Sequence, residues 1–212
     1  MHELLYKVFD EYAERYDSWY RKNPILFECE ARVIRQLKLH GKGLSVGVGT
    51  GTLDSQAPVD VGIDPSVNML RFAATYGIKL VRAVGEYLPF KDETFDFTLM
   101  TATMCFLKSP EKAIWEIRRV LRRHGEIAIC IVPRNSRWGE KYMEKAKKGH
   151  IFYKHAHFYT LGEVKQLLKK CFFRVIAVKS ALSYSPHDKP RIEEPLKDPE
   201  GKGFVCIKAV KI

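Results

Sequence analysis

Leu44-Ser45-Val46-Gly47-Val48-Gly49-Thr50-Gly51 is a short apolar run that ends in three glycines at alternate positions. A run of this length reads as a strand bounded by a turn. Glycines at its end let a ligand approach the backbone with no Cβ in the way. A second apolar run over 59–63 ends in Asp64, and an acid at the tip of the next strand can accept two hydrogen bonds from a ribose diol. The pair points to an adenosine-containing ligand at the carboxyl edge of a parallel sheet. A glycine triplet alone also marks an ordinary turn, and Asp64 also suits a helix N-cap. The downstream pattern decides between these readings.

That pattern is an alternation. Strands are expected over 44–48, 59–63, 78–84, 95–101 and 126–132. A helix over 66–76 is stopped by Gly77. A second helix is opened by Ser109-Pro110, runs to residue 123 and is closed by His124-Gly125. Ala113, Ile114, Ile117, Val120 and Leu121 give it one apolar face. Strands alternating with helices imply a parallel sheet covered on both faces, an α/β fold. Upstream, 3–21 reads as one helix with Phe9, Tyr12, Tyr16, Trp19 and Tyr20 in a stripe. Asn23-Pro24 breaks it, and 25–39 resumes as a helix. Downstream, 133–158 shows no clean period. Thr160-Leu161-Gly162-Glu163 is a capping box that opens a helix to 171. Strands over 173–182 and 203–210 are joined by a charged, Pro-rich loop, so the last pair is expected to be antiparallel.

The chain has 212 residues and a net charge of +11, which suits one domain, 1–212. Residues 1–40 would form a helical cap and 133–158 a substrate-covering insertion. No apolar run spans a bilayer, and the first residues lack a signal-peptide pattern, so a cytoplasmic location is expected. Lys and Glu are abundant and Asn and Gln scarce, as in thermophilic proteins. The charge suits a solvated surface first and an anionic partner second. Cys29, Cys105, Cys130, Cys171 and Cys206 are odd in number and scattered. They predict buried thiols with neither a disulfide framework nor a metal site.

The segment from Leu44 to Ile131 resembles the class I S-adenosylmethionine-dependent methyltransferases, in particular the small-molecule branch called type 11. The resemblance rests on 44–51, on Gly62-Ile63-Asp64-Pro65-Ser66-Val67-Asn68-Met69-Leu70, on Gly85-Glu86-Tyr87-Leu88-Pro89-Phe90 with Thr94-Phe95-Asp96, and on 113–125. It extends more weakly over 12–37 and from Phe158 to the end. It implies a Rossmann-like seven-stranded sheet of order 3-2-1-4-5-7-6 with strand 7 antiparallel. It also implies S-adenosyl-L-methionine as cofactor.

Carried over residue by residue, the resemblance sets Gly47, Val48, Gly49 and Gly51 against the methionine part of the cofactor. Asp64 would hold the ribose, and Pro65 and Met69 would flank the adenine. Gly85, Glu86 and Tyr87 would meet or wall the adenine. Thr101, Ala102 and Phe106 would contact the amino-acid tail, and Tyr16 would close over the methionine end. Three departures stand out. Ser45 occupies a position where relatives carry an acid that orients the ammonium. Val84 replaces an acid that binds the adenine amine. The segment between Gly51 and Asp64 is short, with Asp54 as a candidate replacement charge.

The acceptor is expected to be a small molecule. Trp19, Cys105, Trp138, Phe152 and Tyr153 are its candidate pocket, and His155 and His157 are weak candidates for a base. Thr101-Ala102-Thr103-Met104 is not the Asn/Asp-Pro-Pro-aromatic signature of base-amine methylation, and RNA ranks second on charge alone. A non-catalytic cofactor-binding protein is a further alternative. A nicotinamide dehydrogenase expects Gly-x-Gly-x-x-Gly, which Thr52 interrupts. The oligomeric state is not fixed by the sequence.

Overall fold

The computed structural model describes residues 2–212, and their side chains from Tyr6 onward. Seven strands form one sheet: β1 (Gly43–Val46), β2 (Val59–Asp64), β3 (Lys79–Arg82), β4 (Phe95–Thr101), β5 (Leu121–Ile131), β6 (Phe173–Ala181) and β7 (Phe204–Lys211). Their order is β3-β2-β1-β4-β5-β7-β6. The first five pair in parallel, and β7 lies antiparallel to both β5 and β6. The helices are α1 (His2–Glu11), α2 (Ala13–Lys22), α3 (Pro24–Gln36), α4 (Val67–Ala73), α5 (Pro110–Val120), α6 (Arg137–Lys147) and α7 (Leu161–Lys170).

Alternation along the central strands creates two cores. Ile127, Ile129 and Ile131 of β5 point to one face, where they meet Ile114, Ile117 and Val120 of α5 and Val164 and Leu168 of α7. Ala128 and Cys130 point to the other, against Leu26, Val33 and Ile34 of α3. A strand buried on both faces needs apolar residues at every position, which is why β5 reads Ile-Ala-Ile-Cys-Ile. The parallel order reverses between β1 and β4, so the loops after these strands open a crevice at their carboxyl ends.

Several expectations are corrected. The single helix over 3–21 is two helices that meet at Tyr12. The break lets α1 fold onto α4, where Asp10 accepts hydrogen bonds from Ser66 Oγ (2.7 Å) and the Asn68 amide (2.9 Å). The helix expected to reach residue 123 ends at Val120, because Leu121 already pairs with Phe95 of β4. Residues 133–158 are not aperiodic, for they contain α6. Its Ser136 cap accepts from the Gly139 amide, and Trp138 and Tyr142 are buried one turn apart.

The sequence argued against a disulfide framework, and the structure holds one disulfide. Cys130 and Cys206 face each other across β5 and β7 and form a disulfide, with Cα atoms 4.0 Å apart. The pair is invisible to spacing because the antiparallel register brings together residues 76 apart in sequence. Cys29, Cys105 and Cys171 are free thiols.

Candidate active site

The glycine loop sits where β1 ends. Gly47, Gly49 and Gly51 adopt φ of +74°, +53° and +77°, a region costly for residues with a Cβ. The Gly47 and Val48 amides both donate to the Ile63 carbonyl at 2.9 and 2.8 Å, so the loop is tied to the end of β2. Thr103 Oγ1 donates to the Gly47 carbonyl at 3.0 Å from beyond β4. A Cβ on Gly47 would lie 2.2 Å from Thr103 Cγ2, whereas one on Gly49 would meet nothing within 4 Å. The first glycine permits close packing, and the second leaves space over the loop.

Asp64 combines two roles. Its Oδ2 accepts from the Gly49 amide at 3.0 Å and its Oδ1 from the Ser66 amide at 2.9 Å. It thus fixes the loop and starts α4, and a carboxylate keeps lone pairs for further donors. Burial pushes its pKa up to about 6, opposed by these two amides. Across the loop, Ser45 Oγ donates to Asp54 Oδ1 at 2.6 Å. Asp54 lies in the 3-10 turn Asp54–Gln56 and is fully buried in the same cavity, and burial raises its pKa to about 7.

One cavity runs along these groups. Gly47, Val48, Gly49 and Gly51 form its floor, with Asp54 and Asp64 at its sides. Pro65 and Met69 line it from the start of α4, and Gly85 and Glu86 from the turn after β3. Glu86 Oε1 accepts from the Lys108 and Ser109 amides at 2.9 and 3.1 Å, which anchors that turn. Thr101 ends β4 and Ala102 and Phe106 follow it, and Phe9, Tyr16 and Tyr20 close the cavity from the helical cap. The cap is held down by Asp17, which pairs with Arg21 and accepts from Thr52 Oγ1 at 3.2 Å.

A second cavity adjoins the first and shares Tyr16, Tyr20, Ala102 and Phe106 with it. Trp19, Cys105, Phe152 and Tyr153 line it, as do Glu30, Tyr142 and His150. Burial holds the Cys105 thiol protonated, at about 12.

The methyltransferase-domain family matches residues 44–129. An uncharacterized protein of Methanocaldococcus jannaschii is 40% identical over 206 residues, covering 97% of this chain and 99% of the relative. The crystal structure of a SAM-dependent methyltransferase from Thermotoga maritima, a possible histamine N-methyltransferase, superposes with a TM-score of 0.92 at 31% identity. That match covers 98% of this chain and all of the relative. This chain belongs to the SAM-dependent methyltransferases. An uncharacterized protein of Mycobacterium tuberculosis is 35% identical, over 93% of this chain and 72% of its own length.

The cofactor of this methyltransferase is S-adenosylmethionine, and the first cavity suits it on chemical grounds. The group carries an ammonium and a sulfonium, and the cavity offers the buried carboxyls of Asp54 and Asp64 beside the open space over Gly49. The methyltransferase places every sequence-selected cofactor residue along this cavity except Tyr87. Tyr87 is 67% exposed, and its ring covers the Lys112 ammonium at 3.3 Å from the centroid. Trp138 lies outside the second cavity. Its indole N–H donates to the Tyr184 carbonyl at 2.8 Å and its ring packs in the core.

His155 and His157 are exposed and line neither cavity. His157 contributes its amide, which donates to the Cys105 carbonyl at 2.8 Å, while its ring packs on Tyr159. The histidine that reaches the second cavity is His150, stacked on Tyr153 with ring centroids 4.5 Å apart. Sequence reasoning also missed Glu30. Its sign was an acid on the buried stripe of α3, between Cys29 and Val33.

Proposed function

We propose that this methyltransferase transfers the methyl group to a small-molecule acceptor held in the second cavity. The observation that supports this is the adjoining aromatic cavity itself. It opens onto the cofactor cavity through Tyr16, Tyr20, Ala102 and Phe106, and its walls are Trp19, Phe152, Tyr153 and Tyr142. An enclosed apolar site with a few convergent polar groups is the usual form of a small-ligand pocket. The name of the Thermotoga relative, an enzyme for a small molecule, is consistent with it.

The roles follow from placement. The glycine loop, Asp64, Met69 and Glu86 hold the cofactor, with Asp64 toward the ribose. Asp54, oriented by Ser45, takes the part of the acid that relatives carry at position 45. Bound S-adenosylmethionine supplies a methyl group already activated by its sulfonium. The chain therefore contributes alignment and the exclusion of water. Residues 1–40 and 133–158 provide the cover: α2 carries Tyr16 and Trp19, and the segment after α6 carries His150, Phe152 and Tyr153.

Two measurements test this. Calorimetry with S-adenosylhomocysteine should show stoichiometric binding. Labelled methyl groups should then appear on members of a metabolite panel and not on RNA. Transfer to RNA alone, or tight binding with no transfer to any acceptor, would overturn the small-molecule reading.

A further inference from the structure

The second cavity contains a buried carboxyl that no described cation balances. Glu30 projects from α3, is 6% exposed, and lines the cavity. Its one hydrogen bond comes from Tyr20 Oη at 3.1 Å. Burial raises its pKa to about 8, opposed only by that hydrogen bond, and no described cation pairs with it. A carboxyl buried with no counter-ion is costly and contributes little to packing. Around it stand the rings of Tyr16, Trp19, Tyr20, Tyr142 and Tyr153. A second polar group is also unmatched: His150 Nδ1 is buried with no hydrogen-bond partner among the described residues. Neither cationic side chain that lines the cavity forms an ion pair with Glu30. Arg15 is exposed, and Lys145 lies against the ring of Tyr142, 5.7 Å from its centroid.

We propose that the methyl acceptor is a small amine, bound as its ammonium between the tyrosine and tryptophan rings with Glu30 as counter-ion. This rests on the small-molecule reading above and specifies its substrate class. Aromatic faces attract cations, most strongly where water is excluded. A carboxylate at hydrogen-bond range adds a charge-assisted bond. The ligand supplies at Glu30 the positive charge that no described side chain brings to it, which removes the penalty that keeps Glu30 protonated. Passing one ammonium proton to the Glu30 carboxylate then frees the nitrogen lone pair. An alcohol or a carboxylic acid would leave Glu30 uncompensated or set against a second acid.

The test is calorimetry on the full chain saturated with S-adenosylhomocysteine, titrated with phenethylamine, phenethyl alcohol and phenylacetate. The amine should bind at least tenfold more tightly than either analogue. Glu30→Gln should remove that preference while S-adenosylhomocysteine affinity stays within error and the melting temperature does not fall. Should that variant fold poorly, Tyr20→Phe keeps the acid and should preserve the preference for the amine. Equal or tighter binding of the alcohol or the acid, or a Glu30→Gln protein that still prefers the amine, would overturn the amine assignment and leave the small-molecule reading standing. Binding of none of the three, with methyl transfer to RNA, would overturn both.

Discussion

Ser45 donates its hydroxyl to Asp54 across 2.6 Å; both side chains are buried, and Asp54 lines the first cavity. The residue that looks like a loss in sequence is the one that orients the acid in space. Asp54→Asn should therefore weaken S-adenosylhomocysteine binding by about 10–100-fold, the loss expected of a charged hydrogen bond. Ser45→Ala should weaken it by less, about 3–10-fold. Calorimetry on the two variants checks the order.

The same carboxyl gives a pH signature. Its pKa is about 7 in the folded chain, against an ordinary 3.8. A group whose folded value is raised stabilises the fold fully below the unfolded value, and loses that contribution as pH rises through the folded one. Relative to wild type, ligand-free Asp54→Asn should become progressively more stable between about pH 4 and pH 7. Urea denaturation across that range measures the difference, and a flat difference would contradict it.

Gly47 and Gly49 should separate folding from binding. Alanine at 47 meets Thr103 at 2.2 Å as well as a φ of +74°, and should cost about 2–4 kcal/mol of stability. Alanine at 49 meets open space, so its cost is the backbone strain alone, about 1 kcal/mol. Its methyl enters the space assigned to the cofactor. Gly49→Ala should fold and lose affinity, whereas Gly47→Ala should melt early.

Asp64→Ala removes two amide hydrogen bonds, from Gly49 and Ser66. It should lower stability by about 1–3 kcal/mol and reduce S-adenosylhomocysteine binding more than a hundredfold. Thermal melts and calorimetry on one preparation distinguish the two losses.

The cross-strand disulfide should be countable. Denatured protein should titrate three thiols before reduction and five after it. Cys206→Ser should lower stability by about 2–4 kcal/mol, read from denaturant midpoints.

The alternation of strands and helices, the antiparallel last strand, the capping box at Thr160 and the glycine loop with Asp64 were legible in the chain from local spacing, and the order of the sheet followed from the family resemblance. Boundaries were less so. The helix of Ala113 and Ile117 keeps its period past Val120, yet pairing of Leu121 with Phe95 converts the continuation to strand. Of the second cavity's lining, Trp19, Cys105, Phe152 and Tyr153 are legible in the sequence as aromatics or neighbours of β4. Glu30 and His150 were missed. His155 and His157 sit in the same basic segment as His150, and only the turn after α6 decides which histidine faces inward.

By itself, the sequence determined the fold class, the family and the identity of the cofactor, since those rest on periodicities and motifs that each span a few residues. Tertiary structure alone decided that Asp54 reaches Ser45, that Cys130 meets Cys206, and that Glu30 is buried among aromatic rings without a counter-ion. Each depends on desolvation or contact between segments far apart in the chain. Burial, which changes the energy of a charge by more than any neighbour in sequence does, is a property of the packed whole.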